Sequence, residues 1–225
     1  RSPLPGWSAA GVAGLGQGSV RSGGVSLGLG GRRWSGRLAL DHEQGEEMSV
    51  ADEGAGNSEL DRHRGFRLSA RIEAQASPRD QLRLTWRALD ATTELDGFDF
   101  VHGPVDDLNA EQDRQLQALG LHWSRQHRTV TVATRLGYFE DRLDGSDPDT
   151  IFNNFEITSS TPDAAIQLDR SFGDAVGSIG ISWERREVDN LGTFADRQRL
   201  AGLYLQHRFD LGACTTTVGG RYDDH

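Results

Sequence analysis

The chain has little of what most function classes require. Its 225 residues include one cysteine, Cys214, so no disulfide can form within it, and at this spacing nothing marks a metal site or a catalytic thiol. No apolar run approaches the roughly 18 residues that a membrane-spanning helix needs, and mean hydropathy is −0.57. Lys and Arg number 24 against 34 Asp and Glu, a net charge of −10, which removes the basic footprint expected of nucleic-acid binding. Catalytic signatures are missing as well: there is no zinc-type His spacing and no phosphate-cradling glycine loop. Asp106 and Asp107 near His102 are the nearest approach to acid–base machinery, of the kind some outer-membrane proteases use, and a solvated acidic loop explains them more simply. The chain is therefore not expected to be an enzyme.

What is present is a two-residue alternation of apolar and polar side chains, the period of a β-strand with two different faces. Phe66, Leu68, Ala70, Ile72 and Ala74 take one face of a strand while Arg67, Ser69, Arg71, Glu73 and Gln75 take the other. After the Ser77-Pro78-Arg79-Asp80 turn the pattern resumes in Leu82, Leu84 and Trp86. It recurs through Val25 to Leu29, Trp34 to Leu40, Leu119 to Trp123, Val130 to Tyr138, Ile166 to Leu168, Ile179 to Trp183, Ala201 to Leu205 and, weakly, Cys214 to Val218. With a glycine-rich strand near Ala9 to Gly16, about eleven strands are expected.

Connection lengths alternate too. Short turns at 31–33, 77–80, 124–128, 172–174 and 210–212 interleave with long acidic loops at 43–65, 90–113, 140–163 and 187–197. Short turns on one side and long loops on the other are the habit of an outer-membrane β-barrel, whose hydropathy stays low because only alternate residues meet lipid. The aromatic residues agree with two membrane boundaries: Trp34, Trp123 and Phe209 lie near short turns, and Phe66, Trp86, Tyr138, Trp183 and Tyr222 lie toward the long loops. The charged face, with Arg67, Arg71, Arg83, Arg87, Arg135, Glu184 and Arg208, fits a wet or plugged lumen and equally fits the solvent face of a soluble sheet.

The stretch from about Gly65 to Asp224 resembles the middle of the barrel of a TonB-dependent outer-membrane receptor, closest to the cobalamin-transporter branch. The resemblance is carried by Asp90-Ala91-Thr92-Thr93-Glu94-Leu95-Asp96, Leu119-Gly120-Leu121-His122-Trp123, Gly177 to Glu184, Gly202-Leu203-Tyr204-Leu205-Gln206 and Gly220-Arg221-Tyr222-Asp223-Asp224, in that order and spacing. It implies an all-β, antiparallel, up-and-down segment of a 22-stranded barrel in the bacterial outer membrane. It implies active import of a scarce, bulky nutrient such as a corrinoid or siderophore, powered by the TonB system acting through a plug domain. The expected partners are thus outer-membrane lipid, that energy-transducing system and the nutrient, with the receptor a monomer. Residues 1–225 read as one barrel segment without plug or closing strands, since the chain opens at Arg1 without an initiator methionine or signal peptide and stops at His225, where a strand should be entering a long loop. A passive porin or a soluble carbohydrate-binding β-domain is the competing expectation.

The acidic loops raise one metal question. Calcium takes six to eight oxygen ligands, which carboxylates on adjacent loops can supply. Cobalamin transporters order their loops with calcium, and by that resemblance Asp61, Asp90 and Asp96 are the candidate ligands. Against it, the Asp-x-Asp-x-Asp-Gly calcium loop is absent, and Arg62 and Arg64 beside these carboxylates suit a merely solvated loop.

Overall fold

Side chains that alternate every second residue can satisfy their backbone only by pairing with neighbours, and here they pair in chain order. The computed structural model describes residues 6–16, 19–48, 60–99, 103–105, 107, 109–149, 154–191, 193–211 and 214–224; His102, Asp106 and much of the 43–65 acidic segment fall outside these. The strands are β1 (Gly6–Leu15), β2 (Arg21–Gly30), β3 (Trp34–Met48), β4 (Leu60–Gln75), β5 (Asp80–Glu94), β6 (Gly97–Asp99), β7 (Gly103–Val105), β8 (Glu111–His127), β9 (Val130–Ser146), β10 (Phe155–Phe172), β11 (Ala175–Asn190), β12 (Phe194–Leu211) and β13 (Cys214–Asp224). Eleven of them form one antiparallel sheet in the order β1-β2-β3-β4-β5-β8-β9-β10-β11-β12-β13, while β6 and β7 form a small ribbon in the β5–β8 connection. β1 and β13 do not meet, so the sheet is open at both edges.

Register is constant within each pairing, from Trp34 opposite Ala74 to Met48 opposite Leu60, and from Val176 opposite Arg208 to Asn190 opposite Phe194. No bulge shifts a strand, so facing residues can be followed across the sheet. Trp86 lies opposite Ala70 and Leu119, and Leu119 opposite Tyr138. Ile166, Ile181, Leu203 and Tyr222 line up in the same way. These apolar rows occupy one face; Arg71, Glu73, Arg83, His122, Arg135 and Asp163 occupy the other.

The two faces reverse the arrangement of a soluble protein. Leu27, Ile181 and Leu205 are 53%, 55% and 63% exposed, whereas on β2 the opposite-facing Ser22, Ser26 and Gly28 are only partly exposed. Three grooves open on the polar side, each lined by residues such as Arg37, Arg71, Arg83 or Arg135, so the polar face is concave and the apolar face convex. Among the described residues, Ala110 is the sole apolar residue that is fully buried. A sheet normally hides its apolar face against a second layer. Here no layer covers it, and leaving each Leu or Ile in water forgoes about 1.5–3 kcal/mol of burial. Lipid is the solvent that this face fits.

The strands are longer than the alternation suggests. The loops expected at 43–65, 90–113, 140–163 and 187–197 shrink to 49–59, 95–110, 147–154 and 191–193, because β3, β4, β5, β8, β9, β10, β11 and β12 run on through the acidic segments. Apolar alternation reports where one face meets lipid, and about 9–11 tilted residues suffice for that. Beyond that height neither face needs apolar side chains, but the hydrogen-bond ladder continues. β10 and β12 reach 18 residues each. β10 even contains Pro162, which has no N–H to donate; its pairing with β11 skips Thr161 and Pro162 and resumes at Asp163.

The short turns are locally determined. At the β4–β5 turn, Ser77 Oγ accepts the N–H groups of Arg79 and Asp80, each at 3.1 Å, and donates to the Asp80 carboxylate at 2.5 Å. At the β10–β11 turn, Gly173 supplies a φ of +62°, which a residue without a side chain adopts at no steric cost.

In the full-length protein folded into vesicles, Leu205→Arg on the convex face is expected to cost about 2–4 kcal/mol of unfolding free energy. Gln206→Arg, one residue on and facing inward, should stay within about 0.5 kcal/mol. Equal costs in urea titrations of the two variants would contradict the lipid assignment.

Candidate functional site: the concave wall and the loop end

The concave face is a charged wall whose groups neutralise one another across strands. Glu73 on β4 receives Arg71 at 2.5 Å and Arg83 of β5 at 2.7 Å. Arg114 on β8 grips Asp141 of β9 with two hydrogen bonds, 3.0 Å from Nε and 2.7 Å from Nη2, a fork that only arginine offers. This pair stands beyond the apolar rows, and the Asp141 carboxylate holds the Arg114 guanidinium above its ordinary pKa. Arg135 of β9 reaches Asp163 of β10 at 3.1 Å, and Arg221 of β13 reaches Asp223 at 2.8 Å. The seven charged residues read from sequence as the inward face all lie on strands of this sheet. Near the short turns, Arg32, Arg71, Glu73, Arg83 and His122 line a groove of about 520 Å³.

One contact spans three strands. Tyr204 on β12 lies across Gly180 of β11, and its hydroxyl donates to Gln167 Oε1 of β10 at 2.5 Å. A Cβ at Gly180 would sit 2.5 Å from Tyr204 Cε1, so the glycine is needed for the ring to lie flat against the wall. Gln167 Nε2 in turn donates to Asp169 at 2.7 Å.

At the loop end, the three proposed calcium ligands are not brought together. Asp61 lies on β4 opposite Glu47. Asp90 lies on β5 opposite Phe66 and Gln115. In a sheet without bulges this sets Asp61 on the concave side with Glu73 and Asp90 on the convex side with Phe66, so the two leave the sheet on opposite faces. Asp96 follows β5 in the connection that carries the β6–β7 ribbon. The carboxylates that do converge are others: single oxygens of Asp107, Asp147 and Asp149 lie within 4.8 Å of one another. Asp147 is 2% exposed. Its N–H donates to Asn154 Oδ1 at 2.8 Å, Asn154 Nδ2 returns a bond to the Asp147 carbonyl at 2.8 Å, and Asn109 Nδ2 donates to Asp149 at 2.8 Å. The Asp147–Asn154 bonds close the β9–β10 connection on itself, and the Asn109–Asp149 bond ties it to the β5–β8 connection. Sequence reading named Asp107 only as a loop acid and missed the other two, because the residues are some 40 positions apart and follow no local motif.

No family model matches the sequence, and no curated protein does. Solved structures do match in fold. The siderophore receptor PirA from Pseudomonas aeruginosa matches all of the chain with a TM-score of 0.74 at 12% identity, over 38% of its own length. The alcaligin outer-membrane receptor FauA from Bordetella pertussis matches 99% of the chain at 0.72 and 16% identity, over 37% of its length. The copper transporter OprC matches 99% at 0.67 and 14% identity, also over 37% of its length. The chain thus has the fold of less than two-fifths of such a receptor, as the resemblance to TonB-dependent receptor barrels implies.

Gly180→Ala is expected to destabilise the folded full-length protein by about 1–3 kcal/mol by displacing Tyr204. Combined with Tyr204→Ala it should cost less than the two separate losses added together, a coupling that a double-mutant cycle reads directly.

Proposed function

We propose that this chain is part of the barrel wall of a bacterial outer-membrane receptor that actively imports a scarce, bulky nutrient of the siderophore or cobalamin kind. One observation supports this above the rest: the convex face is apolar and uncovered, while the concave face carries paired charges. A wall of that kind separates lipid from a hydrated or filled interior. The fold likeness to receptors and transporters for siderophores and copper favours a large receptor barrel over a soluble carbohydrate-binding domain. The cobalamin reading rests on the sequence resemblance alone.

In this reading the wall performs no bond chemistry. Substrate is captured at the tall loop end, a plug closes the lumen, and the inner-membrane TonB complex supplies the energy that remodels the plug. The eleven strands supply about half of a 22-stranded barrel, and the open edges at β1 and β13 are where the remaining strands would add. Calcium ordering of the loop end belongs to the same proposal. Asp61, Asp90 and Asp96 would then act with partners from their own faces rather than as one ligand set.

Cells carrying the full-length protein are expected to accumulate a radiolabelled ferric siderophore or cobalamin and to stop when a protonophore collapses the proton gradient. Accumulation that continues unchanged would identify a passive pore instead. Chelating external calcium should weaken nutrient binding to the intact receptor, and an unchanged Kd would remove calcium from the proposal.

A further inference from the structure

All 24 basic residues of this chain are arginine; lysine is absent. Most of those described above face inward and are paired with carboxylates. On β11 and β12, three are not inward. In the constant register of β11 and β12, Arg185 shares the convex face with Ile179, Ile181 and Trp183, and Arg197 and Arg199 share it with Ala201, Leu203 and Leu205. Arg185 and Arg199 are directly opposite each other. A like-charged cross-strand pair is unfavourable unless something of opposite charge sits against it.

The protein supplies little. Glu187 takes Arg185 at 2.6 Å on one carboxylate oxygen and Arg197 on the other, so both its oxygens are engaged. These two arginines, Arg185 first, hold its carboxyl below the ordinary value of 4.5, which keeps it ionised and occupied near neutral pH. Among the described residues Arg199 has neither an ion pair nor a hydrogen-bonding side-chain partner, and it is exposed. On the same face of β11, β12 and β13 the other carboxylates, Asp189 opposite Ala195 and Asp224 opposite Ala201, pair with none of the three arginines.

The height of the pair is informative. It stands two residues, roughly 7 Å along the strand, beyond Trp183, where the apolar row ends. That is headgroup level for a wall whose aromatic boundary is at Trp183. On β8 and β9 the corresponding positions, two residues beyond Leu119 and Tyr138, hold Gln117 and Glu140, so the cationic pair is local to β11 and β12. Guanidinium groups match phosphate oxygens with two parallel donors and are less strongly hydrated than ammonium, which suits them to the membrane boundary.

We propose that Arg185 and Arg199, with Arg197 above them, clamp the phosphate of a lipid headgroup in the loop-side leaflet. The inference rests on the membrane-wall reading above. The lipid phosphate bridges the two guanidinium groups and relieves the repulsion that the register imposes. It is a lipid rather than a soluble anion because the site continues directly into the apolar row of Trp183, Ile181 and Leu203, where acyl chains lie.

The test uses the full-length protein in nanodiscs containing phosphatidylcholine with a minor fraction of phosphatidylglycerol, with lipid retention read by native mass spectrometry. Retention of phosphatidylglycerol over phosphatidylcholine is expected to fall about tenfold in the Arg185→Gln/Arg199→Gln variant. Arg142→Gln serves as control, since Arg142 is on the same face but already holds Asp144 at 2.9 Å and Glu156 at 3.2 Å; it should keep the wild-type preference. Equal retention of both lipids by the wild type, or no loss in the double variant, overturns the clamp while leaving the membrane wall standing. Displacement of phosphatidylglycerol by millimolar inorganic phosphate overturns the lipid assignment. A full-length protein that does not insert into bilayers and shows no heat-modifiable migration overturns both readings together.

Discussion

On the membrane-wall reading, backbone hydrogen bonding in a medium without water is the constraint on which this structure depends. A peptide group facing hydrocarbon has no solvent partner, and each one left unpaired costs several kcal/mol. The chain meets this with a single ladder of neighbours, strand against next strand, from β1 to β13. The missing core follows from the same constraint. Because lipid takes the part that a second layer plays in a soluble protein, the sheet needs only one layer, and its apolar side chains remain at the surface. The polar side chains, turned to the concave side, then have to balance one another, which the cross-strand pairs at Glu73, Asp141 and Asp163 accomplish.

The fold was legible where chemistry forces a two-residue period. Phe66 to Ala74 and Leu82 to Trp86 predict β4, β5 and their hairpin, and the structure pairs them through the Ser77–Asp80 turn. The count of eleven strands in the main sheet was legible for the same reason. Strand ends were not. From Asp141 to Ser146 and from Phe155 to Thr161 both faces are polar or mixed, so the pattern reads as loop although the ladder is intact. The β6–β7 ribbon was also missed, since three-residue strands such as Gly97–Asp99 are too short to display a period.

The candidate sites were less legible still. Asp61, Asp90 and Asp96 were chosen by likeness of position, and a strand's period decides which of its carboxylates can meet. Asp61 and Asp90 differ in that parity across the β4–β5 pairing. The group that does converge, Asp107, Asp147 and Asp149, joins two connections that are neighbours only because β8 and β9 form a hairpin between them. Tyr204 over Gly180 is of the same type: each residue is ordinary alone, and the contact exists because the register puts them opposite.

The unbroken register has an evolutionary side. With no bulge to absorb an extra residue, a single insertion within a strand would turn every residue beyond it to the other face, carrying arginines into lipid and leucines into the interior. Length changes are therefore confined to the connections, or must come in twos. Lineages of this wall should differ freely in the segments around 49–59 and 95–110. Their strand frames should stay fixed even where almost every side chain has been replaced.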